Sequence, residues 1–255
     1  MVLTIDIGNT NIKLGVFDGD RLVFTSRLST DRERTSDQYA SDLLSVFSLH
    51  NADLDKFDSA IISSVVPEIT NAVRDAIRLV CGIDALNLES GVKTGLKVRT
   101  DGNTVIGADL IAESVGAVGN YPLPCFIADL GTATKILLID GSGCFCGCTI
   151  SAGVKISLDA LAQKTSLLSS IRLRTPSTAI GKNTEDCMLI GTVLGTADML
   201  DGLMNRIESE FGEPITTCIA TGGLSKAIIG NCKRKMVFDP DLTLKGLKII
   251  ADKNK

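Results

Sequence analysis

The sequence predicts a mixed α/β fold of two similar lobes, each a β-sheet flanked by helices. Met1–Phe17 is an apolar run that ends in Asp6, turns, and resumes as a second apolar run. The arrangement returns at Cys125–Asp140, where the acid is Asp129. Two copies of one strand–turn–strand device, about half a chain apart, indicate a duplicated lobe. We therefore predict an N-terminal lobe over residues 1–118 and a C-terminal lobe over residues 119–255, with a ligand cleft between them.

Length and charge limit the kinds of partner. The chain has 255 residues, 44% of them hydrophobic, which is ample for buried cores. Its 26 basic and 30 acidic residues give a net charge of −4, without a basic tract. Nucleic acid or an anionic membrane is therefore not expected as the main partner, and a small-molecule substrate is. No N-terminal signal is visible and no apolar run approaches the roughly 20 residues that span a bilayer, so a cytosolic location is expected.

The first lobe is predicted to open with a three-stranded meander, because a third short strand follows the first hairpin. Thr35 and Gln38 form a capping box, and apolar residues then recur at helical spacing. A β-branched run ends at Pro67, as a buried strand would, and an amphipathic helix follows it. This order is that of a ribonuclease-H-like lobe. The predicted elements are a strand at Arg21–Leu28, a helix from about Ser36 to Phe47, a strand at Ser59–Val66, a helix from Glu68 and a strand at Asp84–Leu88.

The second lobe starts in the same way, with strands predicted near residues 125–129, 134–140 and 143–150. Before it, residues 91–106 are expected to be a loop that leads to an interlobe helix beginning near Gly107. The longest helix should run over residues 184–211, capped by Asn183. Gly191 and Gly195 lie one turn apart in it and indicate close contact with another helix, either within the chain or between subunits. A final helix over residues 242–251 is expected to close this lobe.

The eight cysteines are expected to be thiols, because disulfides are rare in a reducing compartment. Cys144, Cys146 and Cys148 alternate along a predicted strand and should point to one face. Zinc sites usually take cysteines from Cys-x-x-Cys turns, so we interpret these three as buried apolar side chains.

The turn after Asp6 has the chemistry of a phosphate site. Gly8 and Asn9 tolerate positive φ, so a tight turn there can direct backbone N–H groups into one anion-binding concavity. A carboxylate beside phosphates requires a divalent cation between them, which predicts a metal nucleotide. Gly222 and Gly223, between a predicted strand and helix, let the backbone pass close to a flat ligand or a phosphate.

Asp6-Ile-Gly-Asn-Thr-Asn11 resembles the first phosphate motif of the superfamily of acetate and sugar kinases, heat-shock chaperones and actin, and in this spelling it resembles type III pantothenate kinases. The resemblance extends, in order and spacing, over nearly the whole chain. Its further stretches are Ser64–Pro67, Gly107–Asp109, Asp129–Thr134, Gly147–Leu161, Gly181–Thr184, Thr221–Leu224 and Asp241–Leu247.

The resemblance implies ATP-dependent phosphorylation of pantothenate at its primary hydroxyl, the opening step of coenzyme A synthesis. Asp6 would hold Mg²⁺ through water, Asp109 would accept the proton of the attacking hydroxyl, and Asp129 would bind a monovalent cation, K⁺ or NH₄⁺. A homodimer is implied, in which Thr184 contacts the substrate of the neighbouring subunit. The other implied nucleotide contacts are Gly8, Asn9, Thr10, Asn11, Lys13, Thr132, Gly222 and Gly223, and the other implied substrate contacts are Thr100, Gly107, Ala108 and Leu110.

The sequence departs from the family on the substrate side. The family motif is Gly-x-Asp-Arg, whose arginine pairs with the pantothenate carboxylate, and here that position is Leu110. The family has a substrate-binding tyrosine about nine positions before the Asp, and here that position is Thr100. The Gly-Gly and the Pro-Gly of the following motif have become Gly147-Cys148 and Ala152-Gly153. Loss of an Arg–carboxylate pair costs on the order of 2–3 kcal/mol of binding. Lys135 or Arg99 could supply the missing charge.

Alternatives therefore stay open at this point. They are a weakened pantothenate kinase, a kinase for another small alcohol such as a sugar or short acid, and a non-catalytic nucleotide-binding regulatory relative. From the local sequence alone, Asp109 would be a carboxylate that complements a helix dipole, and Thr184 would be a residue at a helix start. Their functional roles therefore depend on the resemblance.

Overall fold

The computed structural model describes residues 1–102, 104–164 and 171–255. Contacts divide the chain into two compact units. The first unit combines Met1–Leu96, the segment that ends at Gly119, and the C-terminal Leu242–Lys255. The second comprises Lys97–Gly102 and Asn120–Asp241. The lobe limits drawn from the sequence stay a prediction.

The sheet of the first unit has the strand order β3-β2-β1-β4-β5. β1, β2 and β3 are antiparallel neighbours, whereas β4 is parallel to β1, and β5 to β4. Alternate residues of β1 pack on opposite sides: Leu3, Ile5 and Ile7 join the core with α1 and α2, and Val2 joins the core with α3 and α8. The elements are β1 Val2–Ile7, β2 Asn11–Asp18, β3 Arg21–Ser29, α1 Ser36–Leu49, β4 Ser59–Ser64, α2 Pro67–Cys81, β5 Ala85–Asn87, α3 Ala108–Asn120 and α8 Leu242–Lys253.

The sheet of the second unit has the order β11-β10-β7-β8-β9-β6. Without the short edge strand β6, this order matches that of the first unit, since β9, β8 and β7 are antiparallel neighbours and β10 and β11 continue in parallel. The mixed α/β class and the repeat of one topology are thus confirmed. The elements are β6 Lys97–Val98, β7 Cys125–Leu130, β8 Ala133–Ile139, β9 Cys144–Ala152, α4 Val154–Lys164, α5 Thr184–Leu189, α6 Gly195–Phe211, β10 Thr217–Thr221, α7 Ser225–Ile228 and β11 Val237–Phe238.

The C-terminal helix does not close the second lobe, so that expectation is wrong. Leu244, Leu247 and Ile250 of α8 are fully buried in one core cluster with Val2 of β1 and Ile61 of β4. The amphipathic pattern of α8 predicts that one face is buried, but it carries no information about which sheet covers that face.

The predicted long helix is present as one helical stretch over Thr184–Phe211. Its middle, Ile190–Leu194, is π-helical and joins α5 to α6. By length and composition the stretch could cross a membrane, although no apolar run of that length was expected from the sequence. Its residues Met188, Leu200 and Met204 pack in the core of the second unit, as those of a core helix do.

The three alternating cysteines do not share a face, so this prediction is also wrong. The register of β8 and β9 shifts at one point: Ile139 pairs with Phe145, but Leu138 pairs with Gly147. Cys146 is therefore an extra residue in a β-bulge, which reverses the side-chain alternation after it. As a result Cys144 is buried and Cys148 is exposed.

Candidate active site

The first predicted phosphate turn is a tight connection between β1 and β2. The Gly8 N–H donates to the Asn11 carbonyl over 3.0 Å, and the Gly8 carbonyl accepts from the Thr30 hydroxyl over 2.6 Å. Neither Gly8 nor Asn9 adopts a positive φ, so the turn does not depend on that property. Glycine is favoured at position 8 for steric reasons, because an added Cβ would lie 3.2 Å from the Asn11 carbonyl oxygen. Asn9, Thr10 and Asn11 are exposed, as residues that meet a ligand must be.

Asp6 lies near the end of β1, half-buried, directly across from Lys13 of β2 and beside Ser63 of β4. By strand alternation it shares a sheet face with Val2, the face on which α3 and α8 pack. The Ser63 hydroxyl is fully buried and has no hydrogen-bond partner within the described part of the chain. A carboxylate and a hydroxyl at one strand end are hard oxygen donors of the kind Mg²⁺ prefers, so these residues fit that ion. Sequence reasoning missed Ser63, whose register beside Asp6 only the sheet reveals.

Asp109 lies in the first turn of α3, half-buried. Its carboxylate folds back toward the preceding Gly107, where an added Cβ would lie 2.5 Å from Oδ1. Gly107 therefore has to be glycine for this side chain to keep its position. A half-buried carboxylate at a helix N-terminus can accept a proton from a hydroxyl held within about 3 Å of it.

Leu110, which follows Asp109, is only 8% exposed and presents no charge. Thr100 lies in the second unit, in the stretch after β6, and is half-buried. Of the two basic residues proposed to replace the missing arginine, Lys135 is buried in a pair with Asp129. Arg99 is 71% exposed, with Nη2 3.5 Å from Asp140 Oδ2, which is a weak surface contact.

The second acid-turn device lies in the second unit, between β7 and β8. The Gly131 N–H donates to the Ala133 carbonyl over 3.1 Å, which closes a turn whose tip is the exposed Thr132. Asp129 and Lys135 are cross-strand neighbours, and Lys135 Nζ lies 2.6 Å from Asp129 Oδ2. Their side chains are 11% and 12% exposed respectively. The first turn shows the same arrangement, with Lys13 opposite Asp6.

Gly222 follows β10 with φ +94°, a conformation that L side chains rarely adopt. An added Cβ would lie 2.6 Å from Asp129 Oδ1 and 2.6 Å from the Leu130 carbonyl oxygen. The Leu224 N–H donates to that same carbonyl over 3.1 Å. The predicted Gly-Gly turn is therefore packed against the end of β7, and Gly223 beside it is exposed.

Thr184 is the first residue of α5 and is exposed. Asn183 caps the helix as predicted, because its side-chain oxygen accepts the Asp186 N–H over 2.8 Å. Arg174 and Asn183 donate hydrogen bonds to Asp186 and hold the pKa of that carboxyl below its usual value. Thr184 is thus fixed at a defined helix start, at an exposed position.

Asp140, Cys144 and Cys146 form a second polar cluster, with ligand atoms within 4.8 Å of one another. Asp140 Oδ1 already accepts the N–H groups of Ser142 and Cys144 over 2.8 and 3.0 Å. Burial, with a smaller effect of the Asp140 charge, raises the pKa of Cys146 to about 11, so this thiol is neutral. These contacts support a structural role in the β8–β9 turn.

Comparison with known structures identifies the fold. The activator of 2-hydroxyisocaproyl-CoA dehydratase from Clostridium difficile has a TM-score of 0.58 at 12% identity, over 99% of this chain and 94% of that one. The ROK hexokinase of Thermus thermophilus has a TM-score of 0.50 at 13% identity, over 99% of each chain. This chain therefore shares the fold of that activator and of that hexokinase.

Sequence comparison narrows the class to one family. The profile described as type III pantothenate kinase matches residues 2–206. A type III pantothenate kinase of Exiguobacterium sp. is 40% identical over 254 residues, covering 100% of this chain and 99% of its own. That of Agathobacter rectalis is 36% identical over 253 residues, covering 99% and 97%. The chain belongs to the type III pantothenate kinase family, and it is a kinase.

Proposed function

We propose that this protein transfers the γ-phosphoryl group of ATP to the primary hydroxyl of pantothenate, in the cytosol, as the first step of coenzyme A synthesis. The observation that carries the proposal is similarity to pantothenate kinases along the entire chain, at 36–40% identity. The retained Asp6 turn and the retained Asp109 at the start of α3 support it.

The nucleotide is assigned to the turn devices. Asp6 would hold Mg²⁺ through water, and Gly8, Asn9, Thr10, Asn11 and Lys13 would contact phosphate oxygens, together with Thr132, Gly222 and Gly223. The bound ion supplies neutralisation of the charge that develops on the phosphoryl oxygens. The exposure of Asn9, Thr10 and Asn11 in the first turn supports this assignment, since phosphates are bound largely through the backbone N–H groups of such turns.

Asp109 is assigned the role of general base. It accepts the proton of the substrate hydroxyl as the hydroxyl oxygen bonds to the γ-phosphorus, and the bond from that phosphorus to the bridging oxygen breaks to release ADP. Phosphoryl transfer needs little covalent assistance, so correct placement of the hydroxyl accounts for most of the rate enhancement. Gly107 supports the assignment, because its lack of a side chain lets the Asp109 carboxylate occupy its present position. Ala108 begins the same helical turn.

The substrate end is where this chain differs from its family. Leu110 is buried and apolar, and Lys135 is engaged with the Asp129 carboxylate. These observations favour weak binding of pantothenate, with the carboxylate unpaired at Leu110. They also favour a second candidate function, phosphorylation of a related alcohol without the charged end, such as pantetheine.

An ADP-release assay distinguishes the two functions. Purified protein is given Mg-ATP with pantothenate, pantetheine or a panel of small alcohols, and the phosphorylated product is identified by mass. Preference for pantothenate supports the first function, and preference for pantetheine the second. If Mg-ATP raises the melting temperature but no alcohol releases ADP, the protein is a non-catalytic nucleotide-binding relative.

We assign the interface of a homodimer to the face of the long helix that carries Gly191 and Gly195. An added Cβ at Gly191 or Gly195 meets no atom of another described element within 4 Å, so these glycines do not mark a close helix approach within the described part of this chain. They border an open groove of about 800 Å³ between α4 and this helix, which Met199 and Leu161 also line. A second copy would cover this face, and Thr184 would then contact that copy's substrate. Light scattering at micromolar concentration tests the assignment, and a monomer would remove it.

The monovalent cation implied at Asp129 does not fit the residues present. Such an ion has to neutralise the Asp129 carboxylate, and the ammonium of Lys135 already lies 2.6 Å from it. No step of the reaction is therefore assigned to K⁺ or NH₄⁺.

A further inference from the structure

We propose that the ammonium group of Lys135 is a built-in replacement for a soluble monovalent cation at Asp129, so that this kinase works without added K⁺ or NH₄⁺. The activity assays that test this inference require the proposed function. The melting-temperature measurements of cation binding do not require it.

The first argument is the geometry of the pair. Lys135 Nζ and Asp129 Oδ2 are 2.6 Å apart, which is a short charge-assisted hydrogen bond, and both side chains are almost entirely withdrawn from solvent. A buried carboxylate is expensive unless an opposite charge accompanies it. In this chain that charge is covalently attached, and it is an ammonium, the same chemical group as NH₄⁺.

The second argument is that the sheet holds both partners in place. Asp129 and Lys135 face each other across the antiparallel pair β7–β8, whose ladder runs from Cys125↔Ile139 to Leu130↔Thr134. β7 is an interior strand, because β10 pairs with its other edge, so Asp129 has little freedom to move. A tethered group held at its target has a far higher effective concentration than the same group free in solution.

The third argument is the crowding around the carboxylate. An added Cβ at Gly222 would lie 2.6 Å from Asp129 Oδ1, and one at Gly131 would lie 3.4 Å from the same oxygen. Oδ1 is therefore packed against backbone while Oδ2 contacts the ammonium. A further cation beside Lys135 would meet a like charge at short range, which disfavours its binding.

The test uses wild-type protein, Lys135→Met and the control Lys155→Met, which removes an exposed lysine from α4 of the same unit. Each is assayed for pantothenate phosphorylation in KCl, in NH₄Cl and in N-methylglucamine chloride at equal ionic strength. Wild type and Lys155→Met should keep rates within about twofold across the three salts. Lys135→Met should lose on the order of tenfold or more in N-methylglucamine chloride and recover in KCl or NH₄Cl.

Melting temperatures in the same salts give a readout that does not require catalysis. K⁺ should raise the melting temperature of Lys135→Met relative to N-methylglucamine, because a ligand of the folded state stabilises it, and should leave wild type unchanged. The double variant Asp129→Asn, Lys135→Met should lose this K⁺ effect.

The proposal is overturned if KCl raises the rate of the wild-type enzyme tenfold or more over N-methylglucamine chloride, or if K⁺ specifically raises the melting temperature of wild type. Those wild-type measurements decide the matter even if Lys135→Met does not fold. If no alcohol is phosphorylated in any salt, the proposed function fails, and the melting measurements still decide the cation question.

Discussion

The contact between α3 and α8 depends on two glycines, and its disruption can be worked out from the structure. A Cβ added to Gly246 would lie 2.7 Å from the Ala112 carbonyl carbon and 2.8 Å from the Gly116 nitrogen, and it would overlap the Ala112 oxygen. Ordinary contacts to carbon begin at about 3.5 Å, so relief of the two measured contacts alone requires roughly 0.7–0.8 Å of separation between the helices, and the overlap with the Ala112 oxygen requires more. The opposing atoms are backbone and cannot rotate away.

The expected net loss of stability is on the order of 1–3 kcal/mol. Overpacking of this kind costs about 1–3 kcal/mol, and separation of the helices also weakens the contacts of Leu244, Leu247 and Ile250. The better helix propensity of alanine returns about 1 kcal/mol. In a chain of this length, each 1 kcal/mol lowers the melting temperature by about 2–4 °C.

Thermal unfolding followed by circular dichroism measures this effect. Asn71→Ala is the control, because Asn71 is an exposed residue within α2 of the same unit, away from the face assigned to the homodimer. This control should gain roughly 0.5 kcal/mol from helix propensity alone. A Gly246→Ala protein as stable as wild type would refute the close packing of α3 on α8.

Three further predictions concern the site and its surroundings. Asp109→Asn should lower kcat by about 10²–10⁴-fold while the melting temperature stays within a few degrees, because the carboxylate acts as base; a near-normal rate would remove that role. Leu110→Arg should lower KM for pantothenate by roughly tens of fold with little change in kcat, and should not improve pantetheine; an unchanged KM would mean that another residue holds the carboxylate. Arg234, together with the Ile215 N–H, holds the pKa of Glu208 below its usual 4.5. The ionised Glu208 carboxylate therefore stabilises the fold fully above pH 4.5, and this stabilisation is lost as the pH falls through the lowered pKa. Glu208→Gln should consequently melt at a lower temperature than wild type at neutral pH, and the difference in melting temperature should disappear in acid.

The sequence by itself determined the class of fold and the location of most elements. Strand alternation, the capping box at Thr35 and the cap at Asn183 are local features, and the structure confirms them. The repeat of Asp6 in Asp129 predicted the duplicated topology, because one strand–turn–strand device specifies the start of a sheet wherever it occurs. The family motifs then supplied the activity, which no local pattern could.

Only the tertiary structure decided which elements and side chains meet. α8 has an amphipathic pattern that fits either sheet, and the close approach allowed by Gly116 and Gly246 shows that it packs on α3. A single extra residue in β9 reversed the faces of the cysteines, since side-chain direction in a strand depends on register. Lys135 could have served a substrate carboxylate or Asp129, and the pairing of β7 with β8 brings it to Asp129. Each of these outcomes depends on contacts between residues distant in sequence, which periodicity and composition do not encode.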